Sequence, residues 1–245
     1  MTSLFGRLYR MLCCRGGYGI HSPFAFDLTT TVIEEKRAYY CYETLDRIRL
    51  QLQRENRKIR CGNKDLIMKK AIRTCCFPVK SCRLLFRLAN RFHPEKALII
   101  GSGLGLTPLY VSACSKKTAC TVFEPEPPVA VIARNVVKKY ACSSIRIYDR
   151  TVDVFDMPEP AGNVDFIVWG KGVDFSYPSF EKMLRYVTVK SVMMICGINR
   201  SAAARQAWSR ICIHPAVSVT FDLYSTGLIF FNPKLHRKTY KGIPV

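Results

Sequence analysis

From residue 96 onward, short apolar runs alternate with stretches whose apolar residues recur at helical spacing. The runs predict strands at 97–100, 121–124, 145–148, 164–169 and 191–196. The periodic stretches predict helices near 105–115, 127–141, 177–187 and 201–212, with a short turn at 153–157. Such alternation means a parallel sheet covered by helices on both faces. The pattern breaks at the end, where 217–223 and 227–232 read as two strands joined only by Tyr224, Ser225 and Thr226. That link is too short for a crossover, so the pair must be antiparallel. The tail from Lys234 is basic and reads as surface-lying.

Before residue 96 the pattern is helical, which divides the chain into an N-terminal helical extension, 1–95, and an α/β domain, 96–245. Ser22-Pro23 is a helix-start signal, followed by a helix over roughly 24–35 with Phe24, Leu28, Thr31 and Val32 on one face. His21 before it reads as a cap or packing residue, with a substrate-facing role as the alternative. A second helix, 40 to about 57, is amphipathic through Leu45, Ile48 and Leu52. The segment 58–65 is polar with a turn at Gly62-Asn63, and a further helix over 81–91 turns Leu84, Leu85, Leu88 and Phe92 inward before His93-Pro94 closes it. The opening MTSLFGRLYRMLCC is basic and amphipathic. Such a segment either touches a membrane surface or docks on its own domain, and the second is the more usual outcome.

The stretch around which the domain is organised is 96–110, KALIIGSGLGLTPLY. A buried strand breaks into Gly101, Gly103 and Gly105 and reopens as a helix through Leu106, Leu109 and Tyr110. Glycines there let the backbone approach a ligand closely. The dinucleotide fingerprint is G-x-G-x-x-G. Here the third glycine comes one residue early, a form usual where the ligand has no pyrophosphate, as in S-adenosylmethionine (SAM) sites. The next strand ends at Glu124, about 20 residues beyond the glycines, where a carboxylate is placed to accept from a ribose diol. A purely structural turn with an incidental glutamate is the bland alternative.

Composition adds bounds. At 245 residues, 49% apolar and 23% charged, this is a globular chain with a full core. Twelve cysteines without any C-x-x-C pair, and without a secretory cleavage pattern, read as buried thiols of a reducing compartment. No apolar run reaches the ~18 residues of a membrane span, so the expected location is cytoplasmic. The net charge of +20 is unusual. Between Arg47 and Lys96 there are 15 basic residues and only Glu55, Asp65 and Glu95 to oppose them. Such a field attracts polyanions. The cations are spread along helices without interleaved aromatics, however, which does not favour a dedicated nucleic-acid site.

The segment HSPFAF, His21 to Phe26, now carries a resemblance. The chain resembles bacterial class I SAM-dependent methyltransferases of the small O-methyltransferase type, a subgroup of which has an N-terminal H-S-P-F-x-F motif. The resemblance extends to the glycine loop, to Glu124 and to 207–231, which looks like the family's last helix and hairpin. It implies a Rossmann-like sheet of seven strands with the last antiparallel. The implied cofactor is SAM, held by Gly101, Ser102, Gly103, Gly105 and Glu124, with Asp149, Thr151 and Trp169 near the adenine. The family's acidic positions are filled here by Ile99, by Gly170 and by Cys196-Gly197. A divalent cation needs hard oxygen ligands, so no metal is expected. Lys171 and Asp174 are then the candidate catalytic residues, with Asp149 as a further candidate base.

Two functions follow from different classes. The first is metal-independent methyl transfer from SAM to a small or anionic acceptor. The second is a catalytically degenerate relative that uses its basic surface to bind a polyanion. An RNA-modifying enzyme is a third reading, motivated by charge alone. Related enzymes are often dimers, and a homodimer is the partner expectation.

Overall fold

The computed structural model describes residues 4–14, 16–140, 143–149, 163–171 and 173–244, with the side chains of 4–7 excepted. The helix α1 (Leu4–Cys13) is followed by α2 (Pro23–Leu28), α3 (Tyr40–Arg54), the strands β1 (Lys58–Cys61) and β2 (Lys64–Ile67), α4 (Met68–Cys75) and α5 (Val79–Phe92). Then come β3 (Lys96–Ile100), α6 (Leu106–Ser112), β4 (Ala119–Glu124), α7 (Pro127–Lys139), β5 (Ile145–Asp149) and β6 (Val164–Trp169). The chain ends with α8 (Tyr177–Met183), β7 (Val187–Cys196), α9 (Ala202–Cys212), β8 (Val219–Asp222), β9 (Thr226–Phe230) and β10 (Lys238–Lys241). Two compact units result: Ala38–Asp174, and Met1–Arg37 together with Phe175–Val245.

In the unit Ala38–Asp174 four parallel strands lie in the order β6-β3-β4-β5. β3 sits between β6 and β4, and four of its five residues are buried. That explains its unbroken apolar run, since a parallel strand covered on both faces has no polar side to show. Thr121 pairs with Leu98 and Arg146, and the register ends with Glu124 opposite Asp149 and Trp169 opposite Ile100. The carboxyl ends of the four strands therefore share one edge. Helix α6 packs against α3 and α5, with the Tyr110 hydroxyl donating to Asp46 of α3 at 2.7 Å, and at the start of α3 the rings of Tyr39 and Tyr42 meet Phe86 of α5 at 5.0–5.5 Å.

The polar segment at 58–65 is more than a turn. It forms a two-stranded hairpin with Cys61 opposite Lys64 across Gly62-Asn63, and α4 follows directly. Gly62 takes the left-handed φ of +59° that a two-residue hairpin loop demands. The helix α4 is absent from the sequence expectation because its eight residues show too few turns of periodicity.

In the other unit the strand order is β7-β9-β8-β10. β9 runs antiparallel to both β7 and β8, as expected of the terminal hairpin. The tail lies at the surface and also forms an element that the sequence pattern did not announce, because Lys238–Lys241 pairs parallel with β8 as an edge strand with three of its four residues exposed. Tyr240 is buried and stacks on Phe221 at 5.2 Å, which gives this short strand its anchor. Phe230 meets Phe24 edge-on at 5.1 Å, so the phenylalanine after Ser22-Pro23 serves the core of this unit. Ser22 accepts from the Ala25 amide at 3.3 Å, a regular N-cap with Pro23 behind it. The helix continues to Ile33 as a π-helical segment, where Thr29, Thr30 and Thr31 each bond back to the carbonyl four residues earlier. The expected turn at 153–157 lies outside the described residues.

Candidate functional site

The glycine loop leaves β3 with four of its five residues, 101–105, in the left-handed region. Gly101 has φ +89°, Gly103 +56° and Gly105 +89°, and Leu104 between them is at +57°. A Cβ on Gly101 would lie 2.8 Å from Val173 Cγ2, and one on Gly103 would lie 2.6 Å from Thr107 Oγ1. Backbone conformation and space both demand glycine there.

Glu124 ties this loop to the end of β4. It is buried, and its Oε2 accepts from the Ser102 amide at 2.8 Å and from the Ser102 hydroxyl at 2.6 Å. Its Oε1 accepts the Glu126 amide at 3.2 Å. Burial pushes the Glu124 carboxyl above the usual carboxylate range, while the bonds from Ser102 pull the other way. A carboxylate offers about four acceptor positions. With three in use, one remains for an incoming hydroxyl, and Ser102 Oγ can rotate to release a second.

Asp149 and Trp169 stand at the same edge. Asp149 ends β5 and accepts from Arg134 Nη2 at 2.8 Å. Trp169 ends β6 and is buried. Lys171 follows it, and its Nζ donates to the Arg73 carbonyl at the end of α4. A role as proton acceptor would require Lys171 to release that bond. Asp174 is exposed. Thr151 lies outside the described residues.

Two of the departures from the family pattern have a physical reason. Gly170 donates its amide to the Ile100 carbonyl at 2.7 Å, and a Cβ on it would sit 2.7 Å from the carbonyl oxygens of both Ile100 and Gly101. No side chain can stand at that position without moving the glycine loop. Ile99 is fully buried between Val122 and Val168, where a carboxylate would be desolvated. Cys196-Gly197 belongs to the other unit, where the Gly197 amide donates to the Ser225 carbonyl at 2.7 Å.

Sequence reasoning missed one wall of the site. Cys76 at the end of α4 donates its thiol to the Gly103 carbonyl at 3.1 Å, and Cys75 Sγ lies 3.8 Å from Cys61 Sγ. Burial pushes the thiols of Cys75 and Cys76 far up, so they pack as neutral groups and are not nucleophiles. The turn of the β1–β2 hairpin is tied in as well, with the Gly62 amide donating to Glu126 Oε2 at 3.0 Å. The available signal was Glu126 itself, a second acid two residues after Glu124.

Compared with models of known protein families the chain matches none, and compared with curated proteins by sequence it matches none. Solved structures are similar in fold. An O-methyltransferase from Bacillus cereus in complex with S-adenosylhomocysteine (SAH) superimposes with a TM-score of 0.57 at 15% identity, covering 84% of this chain and 97% of that one. A methyltransferase from Geobacter sulfurreducens gives 0.57 at 13% identity over 81% and 91%. The O-methyltransferase TomG from Streptomyces achromogenes, in complex with SAM, gives 0.54 at 12% identity over 80% and 91%. With the strand order, the reversed β9 and these superpositions together, the chain has the Rossmann-like α/β fold of the class I methyltransferases.

Proposed function

We propose that this chain binds SAM at the glycine loop and transfers its methyl group to a small acceptor without a divalent metal. The observation that carries the proposal is the lock between Ser102 and Glu124. It holds three positive-φ glycines open at the strand edge and leaves carboxylate acceptor capacity beside them. Fold likeness to structures that hold SAM or SAH supports the choice of cofactor.

In this reading Gly101, Ser102, Gly103 and Gly105 let the backbone meet the cofactor, and Glu124 accepts from its ribose. Asp149 and Trp169 flank the adenine. When bound, SAM supplies an electrophilic methyl group on a sulfonium. Methyl transfer is an in-line displacement, and alignment alone supplies much of the acceleration. Lys171 orients an anionic acceptor, and Asp174, exposed, is the group placed to take its proton. The donor set supports the metal-free reading, since Ile99 is buried and Gly170 has no room for a side chain.

Calorimetric titration with SAM and SAH tests the assignment. Micromolar binding is expected, weakened about 10–100-fold by Glu124→Ala, which removes charge-assisted hydrogen bonds. Gly103→Asp should abolish it, because the new side chain meets Thr107 and Cys76. No heat at millimolar cofactor with wild type would overturn the proposal and leave the basic surface as the feature to explain.

A further inference from the structure

Helix α1 is mounted with its polar side inward. Arg10 grips Asp222 with both guanidinium nitrogens, Nη1 to Oδ1 at 2.6 Å and Nη2 to Oδ2 at 3.0 Å, and also donates to the Asp222 carbonyl at 2.8 Å. The guanidinium lies 5.6 Å from the centre of the Tyr224 ring. Both partners of the ion pair are largely shielded, with side-chain exposures of 14% and 15%. The segment after the helix is fixed too, as the Gly16 amide donates to both carboxylate oxygens of Glu34 at 3.0 and 2.9 Å.

The other side of α1 carries large apolar side chains into solvent. Leu8, Tyr9, Met11 and Leu12 are 55%, 57%, 51% and 74% exposed. At about 100° per residue, Leu8, Met11 and Leu12 fall within an arc of about 100°, Tyr9 lies beside it, and Arg10 points away. A surface helix of a globular protein ordinarily does the reverse. Beside it, Tyr18 in the glycine turn is 90% exposed, and Phe26, which packs its ring on Gly17, is 48% exposed. The helix is thus held rigidly with an apolar stripe and two aromatic rings outward.

We propose that this face of α1 seats the protein on an anionic lipid surface. Charge selects the occupant. The unit that contains α1 has 15 Lys and Arg against 5 Asp and Glu, and the whole chain is +20. Arg7 and Arg15 bracket the apolar stripe in sequence. Among the described residues, Asp222 and Glu34 are acids that touch this segment, and they are engaged by Arg10 and by the Gly16 amide. A bilayer interface with acidic headgroups offers both an apolar layer for Leu8 and Leu12 and counter-charge for the surrounding cations. A second copy of the chain offers the apolar contact but brings another +20. Ten residues of helix span about 15 Å, against a hydrocarbon core of about 30 Å. No described helix is long and apolar enough to cross a membrane. The helix therefore lies on the surface, and the inference is independent of what the glycine loop binds.

The test is cosedimentation of the full chain with vesicles of phosphatidylcholine alone or mixed with phosphatidylglycerol. Binding is expected to the mixed vesicles, at least ~10-fold weaker to the neutral ones, and falling with added salt. Leu8→Glu combined with Leu12→Glu should lower binding by about tenfold or more, with circular dichroism unchanged because both positions are exposed. Leu12→Trp gives a second readout, a blue shift of its emission on mixed vesicles. Sedimentation unaffected by the double substitution, or an unshifted Trp at position 12, would overturn the proposal and point to general basic attraction. So would a dimer in light scattering that the double substitution dissociates while wild type ignores both vesicles, since the face would then serve a second copy.

Discussion

Gly170 donates its amide to Ile100 at 2.7 Å, and the two carbonyl oxygens above it leave no place for a Cβ. Gly170→Ala should therefore cost about 1–3 kcal/mol by overpacking. Gly170→Asp should cost more and should not create a metal site. Urea unfolding midpoints at constant slope would show both. Glu124 offers a pH-dependent counterpart. Its folded-state carboxyl is raised by burial, so between the ordinary carboxylate value and the raised one the native state holds more proton than the unfolded chain. Stability from this group then declines as pH rises through that window and is flat above it. Replacing it by Gln should remove the decline, visible as unfolding midpoints of the two proteins that diverge as pH rises above the ordinary carboxylate value. The glycines and Glu124 were legible because each sits at a boundary between an apolar run and a periodic one. Gly170 was legible only as an absence, and its reason needed the neighbouring strand's carbonyls. Cys76 was not legible, because nothing in a local pattern says that a thiol 27 residues away will donate to Gly103.

At the scale of elements, three of the helices that the sequence announces carry serine caps. Ser22, Ser176 and Ser201 accept from amides three residues on, at 3.3, 3.3 and 3.1 Å. Ser201→Ala should cost about 1 kcal/mol, and Ser201→Asn should restore most of it, read by thermal unfolding. The strands of the parallel sheet were legible to within one or two residues in most cases because their burial is nearly continuous. The elements that escaped are short and charged. In β1 and β2 most side chains are exposed, so pairing comes from the Gly62-Asn63 turn and from α7 and α4 packed nearby. In β10 a single buried side chain, Tyr240, does the anchoring. Tyr240→Ala should cost about 2–4 kcal/mol and bare the edge of β8, which would appear as aggregation on mild heating.

For the whole molecule, the charge excess is not confined to one region. Read along the sequence, it is weighted to the first 96 residues, with 20 basic against 8 acidic. Counted by compact unit, the two units match, 23 against 13 and 15 against 5, because the first 37 residues belong with the C-terminal ones. No pattern along the chain announces that association. It rests on contacts such as Phe24 with Phe230 and Arg10 with Asp222, whose partners lie some two hundred residues apart.

The pairing of Arg10 with Asp222 also sets a clock. The two residues are 212 positions apart, and at roughly 5–20 residues per second of synthesis the arginine precedes its acid by about 10–40 s. Throughout that interval α1 has nothing to be clasped to. The helix is thus made long before the acid that seats it, and its apolar stripe meets the surroundings in the interval.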